Sequence, residues 1–242
     1  MIPNTKVINS FWIRNIAIIT MLIDHLGVIF WPDILILRYI GRLAFPLFAF
    51  LLVEGYHKTT NLKKYMARLL LAAIVSDIPF QLAINGNLEY QPFTNVLWTF
   101  LIGISVIHAI TKLKSRTSHS DWIGYVFVIT VIGFIFAEWV GSDYSGIGII
   151  MIVGLHLFHG DSTLSKIGQF TAFVLANIII TNIGWEMYHG LDALSPQYYA
   201  ILSLLIIWSY NGKQGIHAKA YRLFSYLFYP VHLTVLAILG RL

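Results

Sequence analysis

Long apolar runs recur along this 242-residue chain, separated by short polar segments that contain proline, glycine or charged residues. A helix needs about 20 apolar residues to cross the hydrocarbon core of a bilayer. The pattern predicts an all-α, polytopic integral membrane protein with about nine transmembrane helices (range about 8–10). The sixth and eighth predicted helices are short for a full crossing. The predicted spans are residues 12–31, 41–57, 66–84, 94–111, 122–140, 145–159, 167–185, 197–210 and 223–240.

Composition supports this class. Hydrophobic residues make up 57% of the chain and charged residues only 11%, less than half of the roughly 25% typical of a soluble domain. The net charge of +5 comes from short basic clusters between the apolar runs, so it indicates helix orientation and no nucleic-acid partner. Cysteine is absent, which excludes disulfides and thiolate chemistry. No linker or low-complexity stretch divides the chain, so residues 1–242 are predicted to form one domain.

The distribution of basic residues predicts the orientation of the helices. With nine spans and a cytoplasmic N-terminus, 13 of the 16 Lys and Arg residues lie on the cytoplasmic side, leaving Arg38, Arg42 and Arg241 outside. Positive charge is retained on the cytoplasmic side of membrane proteins. A miscounted helix in mid-chain would destroy this segregation. We therefore expect a multi-pass protein of the bacterial inner membrane, surrounded by membrane lipids, with its N-terminus in the cytoplasm.

Ionisable side chains within predicted membrane helices are costly and mark functional sites by default. Four lie at depth: Asp24, His25, Asp77 and His232. In the first, third and ninth helices, an ionisable group follows a cytoplasmic-end arginine after 9 to 11 residues, a rise of about 14–16 Å. The three pairs are Arg14 with His25, Arg68 with Asp77, and Arg222 with His232. Three helices thus place acid–base groups at one level, which predicts a shared buried site.

The first helix has the most informative spacing. Arg14 and His25 are 11 residues apart, close to three full turns, so both side chains lie on one face. Asp24 lies about 100° around the helix from its neighbour, so we expect its partner on another helix, either His232 or an arginine. The alternative interpretation is structural: Arg14 as a cytoplasmic anchor and His25 as a hydrogen-bonded packing residue.

Two further groups lie near the cytoplasmic side. Glu54 is close to the cytoplasmic edge of the second predicted helix. His156 and His159 are three residues apart, a spacing that suits a metal, but only Asp161 lies nearby in the sequence. Because such a pair lacks the three or four ligands of a stable site, we predict no metal centre.

Several sequence runs together resemble the TraX family of membrane proteins. The resemblance spans nearly the whole chain, and the second run is long enough to be specific. The runs are Met21 to Gly27 (MLIDHLG), Gly41 to Tyr56 (GRLAFPLFAFLLVEGY), Ser76 to Phe80 (SDIPF), Asn95 after Phe93-Thr94, and Phe228 to Leu233 (FYPVHL).

The resemblance implies a function. Members of the TraX family are linked to N-terminal acetylation of a conjugative pilin, and they are similar to transmembrane acyltransferases such as the acyltransferase-3 family. In that family an arginine and a histidine with ten residues between them are essential, and Arg14 and His25 reproduce this spacing. The implied activity is acetyl-CoA-dependent acyl transfer. Nothing in the chain encodes a pilus, so a pilin acceptor does not follow.

The family resemblance and the common depth of the ionisable groups together suggest a mechanism. Arg14, Arg68 and Arg222 would bind the phosphates of acetyl-CoA at a cytoplasmic mouth, since the guanidinium pairs well with phosphate oxygens. His25 would act as general base on an amine or hydroxyl acceptor (a protein N-terminus, a glycan or a lipid). Asp24 or Asp77 would orient an imidazole, and His232 would tune the site. Direct transfer and an acetyl-histidine intermediate both remain open.

Two non-enzymatic functions compete with this hypothesis. The first is a small proton-coupled transporter or lipid flippase that uses the buried Asp and His groups as a relay; the lack of an internal repeat counts against it. The second is an assembly partner whose polar groups only hold helices together. Binding of acetyl-CoA separates the enzyme from both alternatives.

Overall fold

A computed structural model describes residues 6–86, 91–180, 195–216 and 218–240 of the chain. These residues form helices in all nine predicted regions, which confirms the all-α fold class. Two helices are extended by a π-helical segment, at Gln81–Asn85 and Leu175–Ile180. A 3₁₀ helix, Pro196–Leu202, precedes the helix Ser203–Trp208. The α-helices are α1 Ser10–Phe30, α2 Leu35–Gly41, α3 Ala44–Lys58, α4 Leu62–Phe80, α5 Val96–Lys114, α6 His119–Val140, α7 Ser145–Leu157, α8 Thr163–Val174, α9 Ser203–Trp208 and α10 Lys219–Leu239.

Helix length and composition identify a membrane protein. Within the described ranges, five helical segments are long and apolar enough to cross a bilayer, and three shorter apolar helices accompany them. The sixth and eighth predicted helices are indeed short: α7 has 13 residues, and the 3₁₀ helix with α9 spans residues 196–208. The five long segments are Ser10–Phe30, Leu35–Lys58, Leu62–Ile84, Val96–Lys114 and His119–Val140.

The short helix α2 was not among the predicted elements. It packs against α1 through glycines, because a Cβ on Gly41 would overlap the Asp24 carboxylate oxygen, and one on Gly27 would lie 2.8 Å from Leu37 Cβ. The absence of a side chain therefore permits the close approach of the two helices. This packing places the outer half of α1 directly beside the polar residues that follow α2.

The main hydrophobic core lies between α1, α3, α5 and α7. It is formed by fully buried aliphatic and aromatic side chains, among them Ile13, Leu47, Ile104 and Ile152. A smaller cluster, which includes Met21 and Leu233, joins α1 to α10 near the middle of both helices. By contrast, α6 exposes most of its apolar surface, as expected for a helix that faces lipid.

The segments predicted to be cytoplasmic meet at one end of the bundle. Ile8 pairs with Tyr210, and the Lys58 Nζ donates a hydrogen bond to the Tyr210 hydroxyl (2.8 Å). Lys6 forms an ion pair with Asp161 (2.6 Å). The positive charges of Lys6 and of a second nearby lysine lower the pKa of the Asp161 carboxyl. The N-terminal segment and the loops after α3, α7 and α9 therefore share this end, as the charge distribution requires.

Cysteine labelling tests the orientation. We expect Thr60→Cys, exposed between α3 and α4, to react with a membrane-impermeant maleimide only after the cells are opened. Asp33→Cys, exposed before α2 at the opposite end, should react in intact cells. The background is clean because the chain contains no cysteine. Labelling of position 60 in intact cells would reverse the topology and move the predicted donor entrance to the wrong side.

Candidate functional site

His25 and His232 lie in direct contact in the middle of the bundle. His25 Nδ1 is 2.8 Å from His232 Nε2, and the two ring planes are nearly parallel, with an interplanar angle of 8°. His232 is buried, with 7% of its surface exposed. The predicted equal depth of these residues on α1 and α10 thus corresponds to a real pairing, although 207 positions separate them in the chain.

The hydrogen bonds of this pair define which nitrogen of His25 is basic. His232 Nδ1 lies 2.7 Å from the Phe228 carbonyl oxygen, which can only accept, so Nδ1 carries the proton of the neutral ring. His232 Nε2 is then an acceptor and must receive a hydrogen bond from His25 Nδ1. This network assigns the proton of neutral His25 to Nδ1 and the lone pair to Nε2. His25 is thereby prepared to accept a proton at Nε2.

Asp24 pairs with arginines and not with histidine. Its Oδ1 lies 2.9 Å from Arg38 Nη1 and 3.6 Å from Arg42 Nη2. The Asp24 and Arg42 side chains are 16% and 15% exposed, so the ion pairs are largely shielded from solvent. Of the two partners expected from the sequence, the arginine is correct and His232 is not. Asp24 therefore neutralises two cations, one within α2 and one directly after it. The expectation that it orients an imidazole is not supported.

The turn between α6 and α7 forms the other side of this polar region. Arg42 Nη1 donates a hydrogen bond to the Tyr144 hydroxyl (3.3 Å). The Tyr144 ring stacks on Phe45 at a centroid distance of 4.0 Å. Burial raises the pKa of the neighbouring Asp143 to about 6, although the positive charge of Arg42 acts in the opposite direction. This polar region thus contains two acids and two arginines, whose formal charges balance.

A small cavity, here called the outer cavity, lies between these groups and His25. Its volume is about 40 Å³, which suits a group of a few heavy atoms. Its walls combine the polar side chains described above with apolar ones: Met21, Asp24, His25, Gly41, Ala44, Phe45, Phe48, Val96, Phe100, Asp143, Tyr144 and Tyr229.

A larger cavity, the inner cavity, adjoins it on the side of the α1 N-terminus. Its volume is about 340 Å³, within the range of ligand-binding pockets. One face of α1 lines both cavities in succession, from Arg14 through Ile18 and Met21 to His25. The two cavities share five wall residues: Met21, Phe48, Val96, Phe100 and Tyr229.

Arg14 and Arg68 both line the inner cavity, as their common depth predicts. Arg14 lies over the ring of Tyr221 and Arg68 over that of Tyr65, each at 5.9 Å from the centroid. Within the described part of the chain, neither guanidinium forms an ion pair with a carboxylate. Both charges are therefore available to an anionic ligand. The third predicted phosphate contact, Arg222, has a side chain that lies outside the described residues.

Asp77 does not join the histidine pair, and its predicted role requires correction. Its Oδ1 accepts hydrogen bonds from Asn95 Nδ2 (2.6 Å) and Trp98 Nε1 (2.9 Å). Asn95 also caps the N-terminus of α5 by accepting from the Leu97 amide. Because α4 turns this carboxylate toward α5, equal depth does not bring it to His25. Asp77 instead fixes the start of α5, whose Val96 and Phe100 line both cavities.

The histidines at the end predicted to be cytoplasmic form a separate cluster. Glu54 Oε1 is 2.6 Å from His159 Nε2, and its Oε2 is 2.6 Å from Lys58 Nζ. His156 contacts His57 (3.2 Å) and Thr111 (3.0 Å) rather than sharing a ligand with His159. Over the described ranges, no group of three or more His, Cys, Asp or Glu side chains is arranged to hold a metal ion.

Three site residues were not predicted from the sequence. The charge pattern predicts only an outer position for Arg38 and Arg42, and no sequence pattern marks Tyr144. Arg42 lies within the long run from Gly41 to Tyr56, so that run contained a usable indication. For Tyr144 the sequence offers only its position beside Asp143 in a polar turn, since its approach to Arg42 depends on the packing of α2 and α7.

A family model described as TraX protein matches residues 11–240. A "Probable fimbrial assembly protein FimC, serogroup H1" of Dichelobacter nodosus is 25% identical, with 94% of each chain covered. An uncharacterized protein of Rickettsia prowazekii is 27% identical over 67% of this chain and 62% of its own length. No solved structure matches the chain.

Proposed function

This chain belongs to the TraX family, and on that premise we propose that it is a membrane-embedded acyltransferase. The donor in this proposal is acetyl-CoA from the cytoplasm, and the acceptor is an amine or a hydroxyl. The observation that carries the proposal is the succession of two adjoining cavities. Among the described residues, the first has arginines without a carboxylate partner in its wall, and the second has a histidine with an assigned basic nitrogen.

The inner cavity suits the donor. Arg14 and Arg68 would hold the phosphates of acetyl-CoA at the end where α1 begins, because guanidinium groups form strong charge-assisted hydrogen bonds with phosphate oxygens. From Arg14 to His25 the α1 helix rises about 16 Å, comparable with the length of a pantetheine arm. The wall between them is largely apolar. The thioester would thus reach the outer cavity beside His25.

The chemistry then assigns a role to each nitrogen of His25. The acceptor nitrogen or oxygen attacks the thioester carbonyl carbon, and Nε2 takes up the proton that the acceptor loses. Collapse of the tetrahedral intermediate breaks the carbon–sulfur bond, and the same proton passes to the leaving CoA thiolate. His232 accepts the Nδ1–H hydrogen bond of His25 throughout and thereby keeps Nε2 basic. A positioned general base of this kind contributes about 10²- to 10⁴-fold in rate.

Among the open acceptor classes, a protein N-terminus gains support. The relative from Dichelobacter nodosus carries a fimbrial assembly name and aligns over 94% of both chains. Family membership and this relative support a role for the chain as a membrane protein of pilus biogenesis. A free α-amine of a pilus subunit would then be the acceptor, entering from the outer side of the bundle, where the outer cavity lies.

The relay alternative receives less support from the geometry. A proton relay through Asp24, His25, Asp77 and His232 needs these groups in mutual contact. The described contacts join only the two histidines, whereas Asp24 binds arginines and Asp77 binds Asn95 and Trp98. Neither Asp24 nor Asp77 is therefore in direct contact with the imidazole pair to exchange a proton with it.

Acetyl-CoA binding tests the donor assignment. We expect acetyl-CoA to stabilise the detergent-solubilised protein against unfolding, by about 2.7 kcal/mol at a hundredfold excess over its dissociation constant. Arg14→Gln should weaken this effect by about tenfold in affinity, the loss of one charge-assisted contact of about 1.5 kcal/mol. Thermal unfolding measured over a series of acetyl-CoA concentrations gives both values.

A matched control is Arg116→Gln, which removes an arginine from an exposed turn after α5, away from both cavities. Its apparent dissociation constant should equal that of the wild type. If the Arg14 guanidinium contacts the 3′-phosphate, Arg14→Gln should weaken the binding of dephospho-CoA less than it weakens the binding of acetyl-CoA. The absence of any shift with acetyl-CoA would remove the donor from the proposal.

A further inference from the structure

The outer cavity contains a second polar group whose chemistry the base mechanism does not use. Tyr144 lines this cavity together with His25. In the hydrogen bonds of the described residues this hydroxyl acts only as an acceptor, from Arg42 Nη1. Its own proton is therefore available for donation. A donor opposite a general base is the group that acyl transfer needs, because negative charge develops on the carbonyl oxygen as the acceptor attacks.

The backbone holds Tyr144 in an uncommon conformation. Its φ is +64° and that of Ser145 is +40°, values in the left-handed region that non-glycine residues seldom adopt. Such strain persists where the surrounding structure enforces it, and it clusters at functional sites. Here the turn is fixed by hydrogen bonds from the Asp143 amide to the Thr94 carbonyl (2.8 Å) and from the Gly148 amide to the Tyr144 carbonyl (2.7 Å).

Side-chain packing fixes the phenol as well. The ring is stacked almost parallel to Phe45 at 4.0 Å, and a Cβ on Gly148 would come within 3.2 Å of Tyr144 Cβ. Arg42 is held in turn by Asp24, at 3.6 Å. A preorganised donor needs no rearrangement during the reaction, which is the condition for strong stabilisation of a transition state.

Burial keeps the phenol in its protonated, donating form. Burial raises the pKa of Tyr144 to about 12, even though Arg42 acts to lower it. The hydroxyl is therefore protonated at neutral pH. The hydrogen bond that it receives from the Arg42 guanidinium polarises the O–H group and strengthens its donation to another acceptor.

We propose that Tyr144 is the oxyanion donor of the acyl transfer, with Arg42 as its positioning residue. This inference rests on the acyltransferase function proposed above. As the acceptor attacks the thioester carbonyl carbon, the π electrons of the C=O bond move to oxygen, and the Tyr144 hydroxyl donates a hydrogen bond to that oxygen without transferring its proton. His25 Nε2 takes the acceptor proton on the other side. Collapse restores the carbonyl and expels CoA as the thiolate.

The substitution that isolates this role is Tyr144→Phe, which removes the hydroxyl and keeps the ring that stacks on Phe45. We expect kcat for acetyl transfer to fall by about 10²- to 10³-fold, with the dissociation constant of acetyl-CoA unchanged within about twofold. The probes are acetyl-CoA with a short peptide that has a free α-amine, and acetyl-CoA with water alone. Tyr39→Phe is the matched control, since Tyr39 stacks on Tyr199 and lines neither cavity.

A second measurement separates an oxyanion donor from a packing residue. Fluoroacetyl-CoA forms an oxyanion that its own fluorine stabilises, so the ratio of wild-type to Tyr144→Phe rates should be smaller with this donor than with acetyl-CoA. A packing defect would lower both rates by the same factor and would overturn the assignment. If the wild type is active and the Tyr144→Phe rate lies within threefold of the wild-type rate, the assignment is also overturned. The acyltransferase function then stands. If the wild type consumes no acetyl-CoA with either acceptor, the proposed function fails and this inference fails with it.

Discussion

Replacement of His25 by glutamine is expected to lower the rate of acetyl transfer by about 10²- to 10⁴-fold, the range for loss of a general base. The glutamine amide can still donate a hydrogen bond to His232 Nε2, so the buried contact of 2.8 Å can be retained. It offers no nitrogen that titrates near neutral pH. The variant therefore separates proton transfer from packing. Transfer of labelled acetyl from acetyl-CoA, measured in detergent, gives the rate.

The affinity of the His25→Gln variant for acetyl-CoA should equal that of the wild type, because the proposed phosphate contact Arg14 lies about 16 Å away along α1. His232→Gln should lose less activity, since it disturbs only the assignment of the His25 proton. His57→Gln provides a matched control in the exposed cytoplasmic-end cluster. Near-normal turnover of His25→Gln would assign the histidine pair to packing and would leave the site without its base.

Replacement of Asp24 by asparagine is expected to have the largest effect on stability. Asp24 neutralises Arg38 and Arg42 at the outer end of the bundle, and its side chain is only 16% exposed. Removal of one partner from a buried ion pair typically costs about 3–5 kcal/mol, because the remaining charge is left unpaired away from water. We expect a loss near the lower limit, about 3 kcal/mol, since Arg38 retains some exposure. Reversible unfolding in mixed micelles measures this difference.

Asp33→Asn is the matched control for this change, because Asp33 is exposed at the same end of the bundle. It should alter stability by no more than about 0.5 kcal/mol. The double variant Asp24→Asn with Arg38→Gln should lose less than the sum of the two single changes, since it removes both a charge and its partner. Strict additivity would show that the 2.9 Å contact contributes no coupling energy.

Some of the site is determined by local sequence. Apolar runs separated by basic loops give the helix positions and their alternating direction, because length and flanking charge are sufficient to set both. The constant rise of a helix then gives depth. Arg14 and His25 on one face of α1, and His25 and His232 at one level, follow from counting residues. The adjoining cavities contain the first pair in that order.

The direction in which a side chain points around its helix depends on packing. The identity of its partner on another helix depends on packing as well. Asp77 has the depth of His25, yet α4 turns it toward Asn95 and Trp98 of the α5 segment. The close approach at Gly41 brings α2 against Asp24, and the strained turn at Tyr144 brings a phenol to Arg42. These contacts join segments up to about a hundred residues apart. No periodic pattern of apolar and polar residues encodes such a contact, because its energy is realised only when both surfaces are already in place.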